Sequence, residues 1–259
     1  MKTVIIGSGN LATHLSLALK ASGMPIAQVY SRTAEHAGEL AAKLGCPSTS
    51  QVDEVLTDAD LYIISVNDDA ISGVAVRLCK ARPQAVFLHT AGSVPMSVFR
   101  PYGVRHGVLY PMQTFSKNRP VDFRSIPCFI EASDASTLEL IRSVALSISD
   151  KVIPADSQKR KKLHLAAVLA CNLSNHCYRL AERVLEEEQI DFSLYQPLIQ
   201  ETARKVMVMS PREAQTGPMV RYDVGVMAAQ MNLLHDERTR QIYRLMAESI
   251  HEDRPLNVK

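Results

Sequence analysis

The chain has 259 residues, 46% of them hydrophobic and 22% charged, with a formal net charge of +2. That balance builds a folded core and excludes a disordered tract, and so small a charge argues against nucleic acid or an anionic membrane as the main partner. Five cysteines with no C-x-x-C pair read as reduced thiols, and no apolar run approaches the ~18–20 residues of a membrane span, so a cytoplasmic protein is expected.

The pattern opens with Thr3–Ile6, strand-forming residues that run into Gly7-Ser8-Gly9-Asn10-Leu11-Ala12 and then into helical spacing. Strand, G-x-G-x-x-A turn and helix, in that order, cradle a dinucleotide pyrophosphate. Gly7 permits the tight turn, and Gly9 leaves a phosphate the space a Cβ would fill. The amides of Asn10 and Leu11 then meet that phosphate at a helix N-terminus, where the helix dipole favours an anion. A second strand, Ile26–Tyr30, ends without the acidic residue that binds the ribose 2′-hydroxyl of NAD. Ser31-Arg32-Thr33 stands there instead, a guanidinium between two hydroxyls. This is the chemistry a 2′-phosphate requires, so NADP is the expected cofactor.

Further strands are expected at Leu61–Val66, Ala85–His89, Val104–Tyr110, Cys128–Glu131 and Lys151–Ile153, alternating with helix-period segments. Gly23 and Gly45 mark helix ends, and Thr33 and Asp69 are expected as helix caps. The alternation predicts an α/β fold, a doubly wound Rossmann domain over residues 1–154. Three strand ends carry polar clusters: Val66-Asn67-Asp68-Asp69, His89-Thr-Ala-Gly-Ser93 and Tyr110-Pro-Met-Gln113-Thr-Phe115. Ligands of open α/β sheets lie at such ends. Val66, Asn67 and Asp68 are therefore assigned to the cofactor, and His89 and Gln113 to the nicotinamide or substrate.

After Pro154 the sequence reads as all-helical, giving a second domain over 155–259. Gln158–Gln189 keeps one helical period. At about 100° per residue, His164, Val168, Asn172, Asn175 and Arg179 fall on a common polar stripe. His164, Asn172 and Asn175 are candidates to hold a substrate carbonyl or hydroxyl, with His164 as proton donor, histidine being the side chain that titrates near neutral pH. A helix ending near Met209, a capping box at Ser210-Pro-Arg-Glu213, and helices over Val220–Leu234 and Glu237–His251 complete the pattern.

Gly7–Asn10, Ser65–Ile71, Leu109–Ser116, His164–Val168 with Asn172 and Asn175, and Gln215–Pro218 with Arg221 and Asp223 carry a family resemblance. The whole chain resembles proteins that pair an NADP-oxidoreductase-type Rossmann domain with a helical domain of unknown function. In plan these are similar to pyrroline-5-carboxylate reductases and to 6-phosphogluconate and 3-hydroxyacid dehydrogenases. The resemblance implies a C-terminal domain of the 6-phosphogluconate dehydrogenase type, a homodimer built through it, and an NADP-dependent oxidoreductase. The expected substrate is a small polar carbonyl, hydroxy or imine compound. The dehydrogenases place Lys-x-x-x-Asn on the first long helix; with Asn172 as that asparagine, the lysine position holds Val168. His164 then substitutes for the lysine, or the reaction is imine reduction, or the chain is a non-catalytic NADP-binding redox sensor.

Overall fold

Short strands of nearly continuous apolar sequence form an eight-stranded sheet: β1 (Thr3–Ile6), β2 (Ile26–Tyr30), β3 (Ser48–Thr49), β4 (Leu61–Ile64), β5 (Val86–His89), β6 (Arg105–Pro111), β7 (Cys128–Ala132) and β8 (Val152–Pro154). The computed structural model describes residues 1–253. Compactness divides the chain into a unit of Met1–Asn172, which holds the sheet, and a unit that starts at Leu173. Helices α1 (Asn10–Ala21), α2 (Ala34–Leu44), α3 (Asp68–Cys79) and α4 (Ala135–Ile148) connect the strands.

The strand order is β3-β2-β1-β4-β5-β6-β7-β8. The chain steps outward from β1 to β3, then returns to the far side of β1 for β4, so the winding reverses between β1 and β4. That reversal opens a crevice at the carboxyl ends of these two strands. Strands β1 to β6 run parallel, β7 is antiparallel to β6, and β8 is parallel to β7.

Alternate residues feed opposite faces, as the two-residue period of a strand requires. Ile5, Leu61, Ile63 and Leu88 pack with Leu15 and Leu19 of α1 and Ile141 of α4. Val4, Ile6, Tyr62, Ile64 and Phe87 pack on the other face with Ile71 and Leu78 of α3 and with Phe99. Each such aliphatic side chain contributes on the order of 1.5–3 kcal/mol through burial.

Several local expectations change. β3 is a polar dipeptide, Ser48-Thr49, that pairs with the end of β2 and carries no hydrophobic signal. Asn67, not Asp69, holds the cap position of α3; Asp69 lies in the first turn, where its charge still complements the helix dipole. The long helix is interrupted: α5 (Ser157–Ala167) passes into a π turn over Val168–Leu173 before α6 (Ser174–Glu187). A π turn closes its hydrogen bonds one residue later than an α-turn. The stripe read at α-helical spacing therefore does not hold beyond Val168. Arg179, assigned to that stripe, is instead an exposed residue paired with Glu182 and Glu186.

The unit from Leu173 continues with α7 (Gln196–Val208), α8 (Pro211–Ala214), α9 (Pro218–Arg221), α10 (Val224–Asn232) and α11 (Glu237–Glu252). The capping box of Ser210 and Glu213 forms as its sequence predicts. The expected helix over 220–234 is two helices, because Tyr222 takes a left-handed φ of 54° and the Asp223 side chain caps α10 by accepting from Val226 N. No helix among the described residues is long and apolar enough to cross a membrane.

Candidate cofactor and active site

At the crevice, Gly7 N donates to Tyr30 O at 2.7 Å, tying the glycine turn to the end of β2. Gly7 has φ +119°, and a Cβ there would lie 2.1 Å from Ser65 O, so β1 and β4 can approach only around a glycine. Gly9 differs: a Cβ there meets nothing within 4 Å, so its missing side chain faces open space. α1 begins immediately after it, with no side chain bonded at the cap position. Its first-turn amides therefore point at the cavity, the arrangement that binds a phosphate. Ser8 Oγ donates to Ser31 Oγ at 2.8 Å, linking the turn to the Ser31-Arg32-Thr33 tip.

These groups line a cavity of about 850 Å³ within the first unit. All the residues assigned from sequence to the cofactor border it: Gly7, Ser8, Gly9, Asn10, Leu11, Ser31, Arg32, Thr33, Val66, Asn67 and Asp68. Open space over Gly9, free helix-end donors and a guanidinium that forms no ion pair among the described residues, beside two hydroxyls, fit an NADP pyrophosphate and 2′-phosphate.

His164 lines the same cavity, beside the end of β6, four strands along the sheet from the β2 end that carries Arg32. α5 is anchored by Arg160, a fully buried side chain paired with Glu131 of β7 and donating to Val94 O at 2.6 Å. One turn later on the same helix face, His164 Nδ1 lies 3.1 Å from the Tyr110 hydroxyl at the end of β6. Gly92 lies beneath the imidazole: a Cβ there would sit 2.6 Å from His164 Cγ and Nδ1. Burial raises the Tyr110 pKa first and the charge of Asp68 raises it further, so the phenol stays protonated. Asp68 in turn accepts a hydrogen bond from Ser93 Oγ.

The other reaction-end candidates lie elsewhere. His89 is completely buried, its ring 5.8 Å from that of Phe99, and Nδ1 accepts from Ala91 N at 3.2 Å. Burial, then the nearby Arg160 charge, pushes its pKa down to about 3. His89 is a buried, neutral residue of the core and does not line the cavity. Gln113 turns onto its own loop, where Oε1 accepts from Thr114 N at 2.8 Å, and does not line the cavity. Asn172 is exposed within the π turn and also lies outside the cavity lining; Asn175 belongs to the second unit. Cavity-lining residues that the sequence reading did not assign include Tyr110, the partner of His164, Gly92 beneath it, and Lys117 on the loop after β6. Tyr110 was within reach of a sequence argument, since it ends a strand in a cluster already marked.

A family described as "NADP oxidoreductase coenzyme F420-dependent" matches residues 2–89, and a domain of unknown function, DUF2520, matches residues 126–250. A crystal structure of a candidate NADP oxidoreductase from Bacteroides fragilis is similar at 45% identity and a TM-score of 0.93, over 97% of this chain and 98% of that one. An imine reductase from Myxococcus stipitatus, in complex with NADP+, shares the fold at 18% identity and a TM-score of 0.66, over 97% of this chain and 92% of that one. A pyrroline-5-carboxylate reductase from Pseudomonas aeruginosa is 29% identical over 97 residues; the match spans only 36% of either chain. With the glycine turn, the Arg32 tip and full-length similarity together, the chain belongs to the NADP oxidoreductase family in which a Rossmann module precedes this domain of unknown function.

Proposed function

We propose that the protein transfers hydride between NADPH and a small polar carbonyl, hydroxy or imine compound, with His164 as the proton donor and acceptor. The single observation that carries this reading is the His164–Tyr110 pair within the cavity. Arg32 and the turn at Gly7–Leu11 would hold the dinucleotide, and the cavity that they line is also lined by that pair. The cofactor supplies the hydride; the protein supplies position and a proton. Tyr110 engages Nδ1 and so presents Nε2 to the substrate. In the reductive direction the C=O or C=N electron pair moves to the heteroatom, which takes the proton from His164. The phenol holds the ring and favours one tautomer. Imine reductases and pyrroline-5-carboxylate reductases among the similar proteins support a C=N substrate alongside carbonyls.

The test measures NADPH oxidation against a panel of cyclic imines and small oxo acids. His164→Ala should lower kcat by about 10²–10⁴, the usual contribution of a positioned acid, while leaving NADP+ affinity within twofold or so. Unchanged turnover would remove His164 from the mechanism. Replacing Arg32 by Asp should abolish the preference for NADP+ over NAD+.

The homodimer implied by the family resemblance is part of the same reading. The helical unit leaves Leu198, Met207, Val208, Leu233 and Leu245 at least 61% exposed, and apolar exposure on that scale supports an interface there. Light scattering should give twice the 28.6 kDa chain mass. A monomer would refute it.

A further inference from the structure

We infer that Lys117, on the loop that follows β6, completes the 2′-phosphate subsite and shares with Arg32 the choice of NADP over NAD. This rests on the NADP-dependent reading above and adds a residue from a distant part of the chain. The loop is strapped to the first turns of α1. Asn10 Nδ2 donates to Phe115 O at 2.9 Å, His14 Nε2 lies 2.9 Å from Ser116 O, and the His14 and Phe115 rings stack at 5.6 Å. The next residue, Lys117, lines the same cavity as Arg32, Thr33 and His36.

Its position along that cavity follows from its counter-ion. Lys117 Nζ lies 3.9 Å from Glu39 Oε2 on α2. Glu39 is three residues beyond His36, and side chains at that spacing on a helix are neighbours, ~5–6 Å apart at Cβ. The ammonium therefore stands beside the second turn of α2 (Ala34–Leu44), one turn beyond His36, which borders the same cavity as Arg32 and Thr33. Arg32 forms no ion pair among the described residues.

A ribose 2′-phosphate carries close to two negative charges and three acceptor oxygens. A single guanidinium neutralises half of that. The Lys117–Glu39 pair is long and both partners are solvated, 36% and 56% exposed, so it is weak and readily exchanged for a phosphate. Glu39 thus competes with the ligand for the same ammonium, and the two residues have opposite effects on affinity.

Calorimetry on the full chain with NADP+, NAD+, adenosine 2′,5′-bisphosphate and AMP tests this. Lys117→Ala should weaken NADP+ and the bisphosphate by roughly tenfold, the loss of one charge-assisted contact, and leave NAD+ and AMP unchanged. Glu39→Gln should tighten NADP+ by two- to threefold or so, a gain no loss of structure produces. An equal loss for NAD+ and NADP+ in Lys117→Ala would place the ammonium on the pyrophosphate and overturn the inference, as would no change in either. Wild-type protein that binds NADP+ no better than NAD+ would overturn the underlying NADP reading instead. Circular dichroism of both variants confirms that they are folded.

Discussion

His89 makes a sharp quantitative test, because it separates a core histidine from a catalytic one. Its pKa falls from 6.5 to about 3, first through burial and then through the charge of Arg160. The folded pKa is therefore below the unfolded one. As pH falls through 6.5 the unfolded chain takes up a proton that the folded chain refuses, so stability is intact above that value and declines down to about pH 3. At ~1.4 kcal/mol per pKa unit, the group removes about 2 kcal/mol between pH 7 and pH 5 and about 3 kcal/mol by pH 4. Urea unfolding at pH 7, 5 and 4, each pH chosen within the window set by that shift, would be compared with His89→Asn. Asn keeps an acceptor for Ala91 N but does not titrate there. Its absolute stability should be lower at every pH, and the acid-dependent loss should shrink by the amounts above. If wild type and variant lose stability in parallel between pH 7 and pH 4, the buried-neutral assignment is wrong. A variant of unaltered stability that lost turnover would return His89 to the reaction.

Two glycines of one motif should respond differently. Gly7→Ala drives a Cβ to 2.1 Å from Ser65 O at φ +119° and should cost at least about 3 kcal/mol in unfolding experiments, whereas Gly9→Ala meets nothing within 4 Å and should leave stability within about 0.5 kcal/mol. Gly9→Ala should nonetheless weaken both NAD+ and NADP+ in calorimetry, since its methyl enters the space assigned to the pyrophosphate. Gly92→Ala places a Cβ 2.6 Å from the His164 ring and 2.8 Å from its Cβ, so the ring must leave Tyr110. Turnover should fall as far as in His164→Ala while cofactor affinity persists; normal turnover would show that this ring position is dispensable. Glu131→Gln leaves the buried Arg160 without its carboxylate and should cost about 3–5 kcal/mol by thermal unfolding.

The nucleotide end was legible because its chemistry is local. Gly7, Gly9 and Arg32 hold positions fixed by one strand, one turn and the next strand end, and a linear motif records that. The reaction end was not. Tyr110 and His164 meet across 54 residues, and Gly92 is a constraint only because α5 crosses over it. The burial of His89 has a physical reason that the strand period could have shown. It shares a sheet face with Phe87, and that face is covered by a 3₁₀ segment, Met96–Tyr102, that brings Phe99 over it. The alignment of His164 with Asn172 assumed uniform helical spacing, and nothing in Val168–Leu173 marks a wider turn. The antiparallel course of β7 is equally silent in sequence. It brings Glu131 to the point where Arg160 can anchor the start of α5, from which the helix climbs toward Tyr110.

The outermost strands of the sheet have a consequence for what can add to its edges. β3 and β8 contain two and three residues, so each margin offers an incoming strand almost no hydrogen-bonding ladder. Stubby margins of this kind guard an open sheet against runaway polymerisation. Backbone pairing is thereby refused at both margins, and surface contacts are left to side chains.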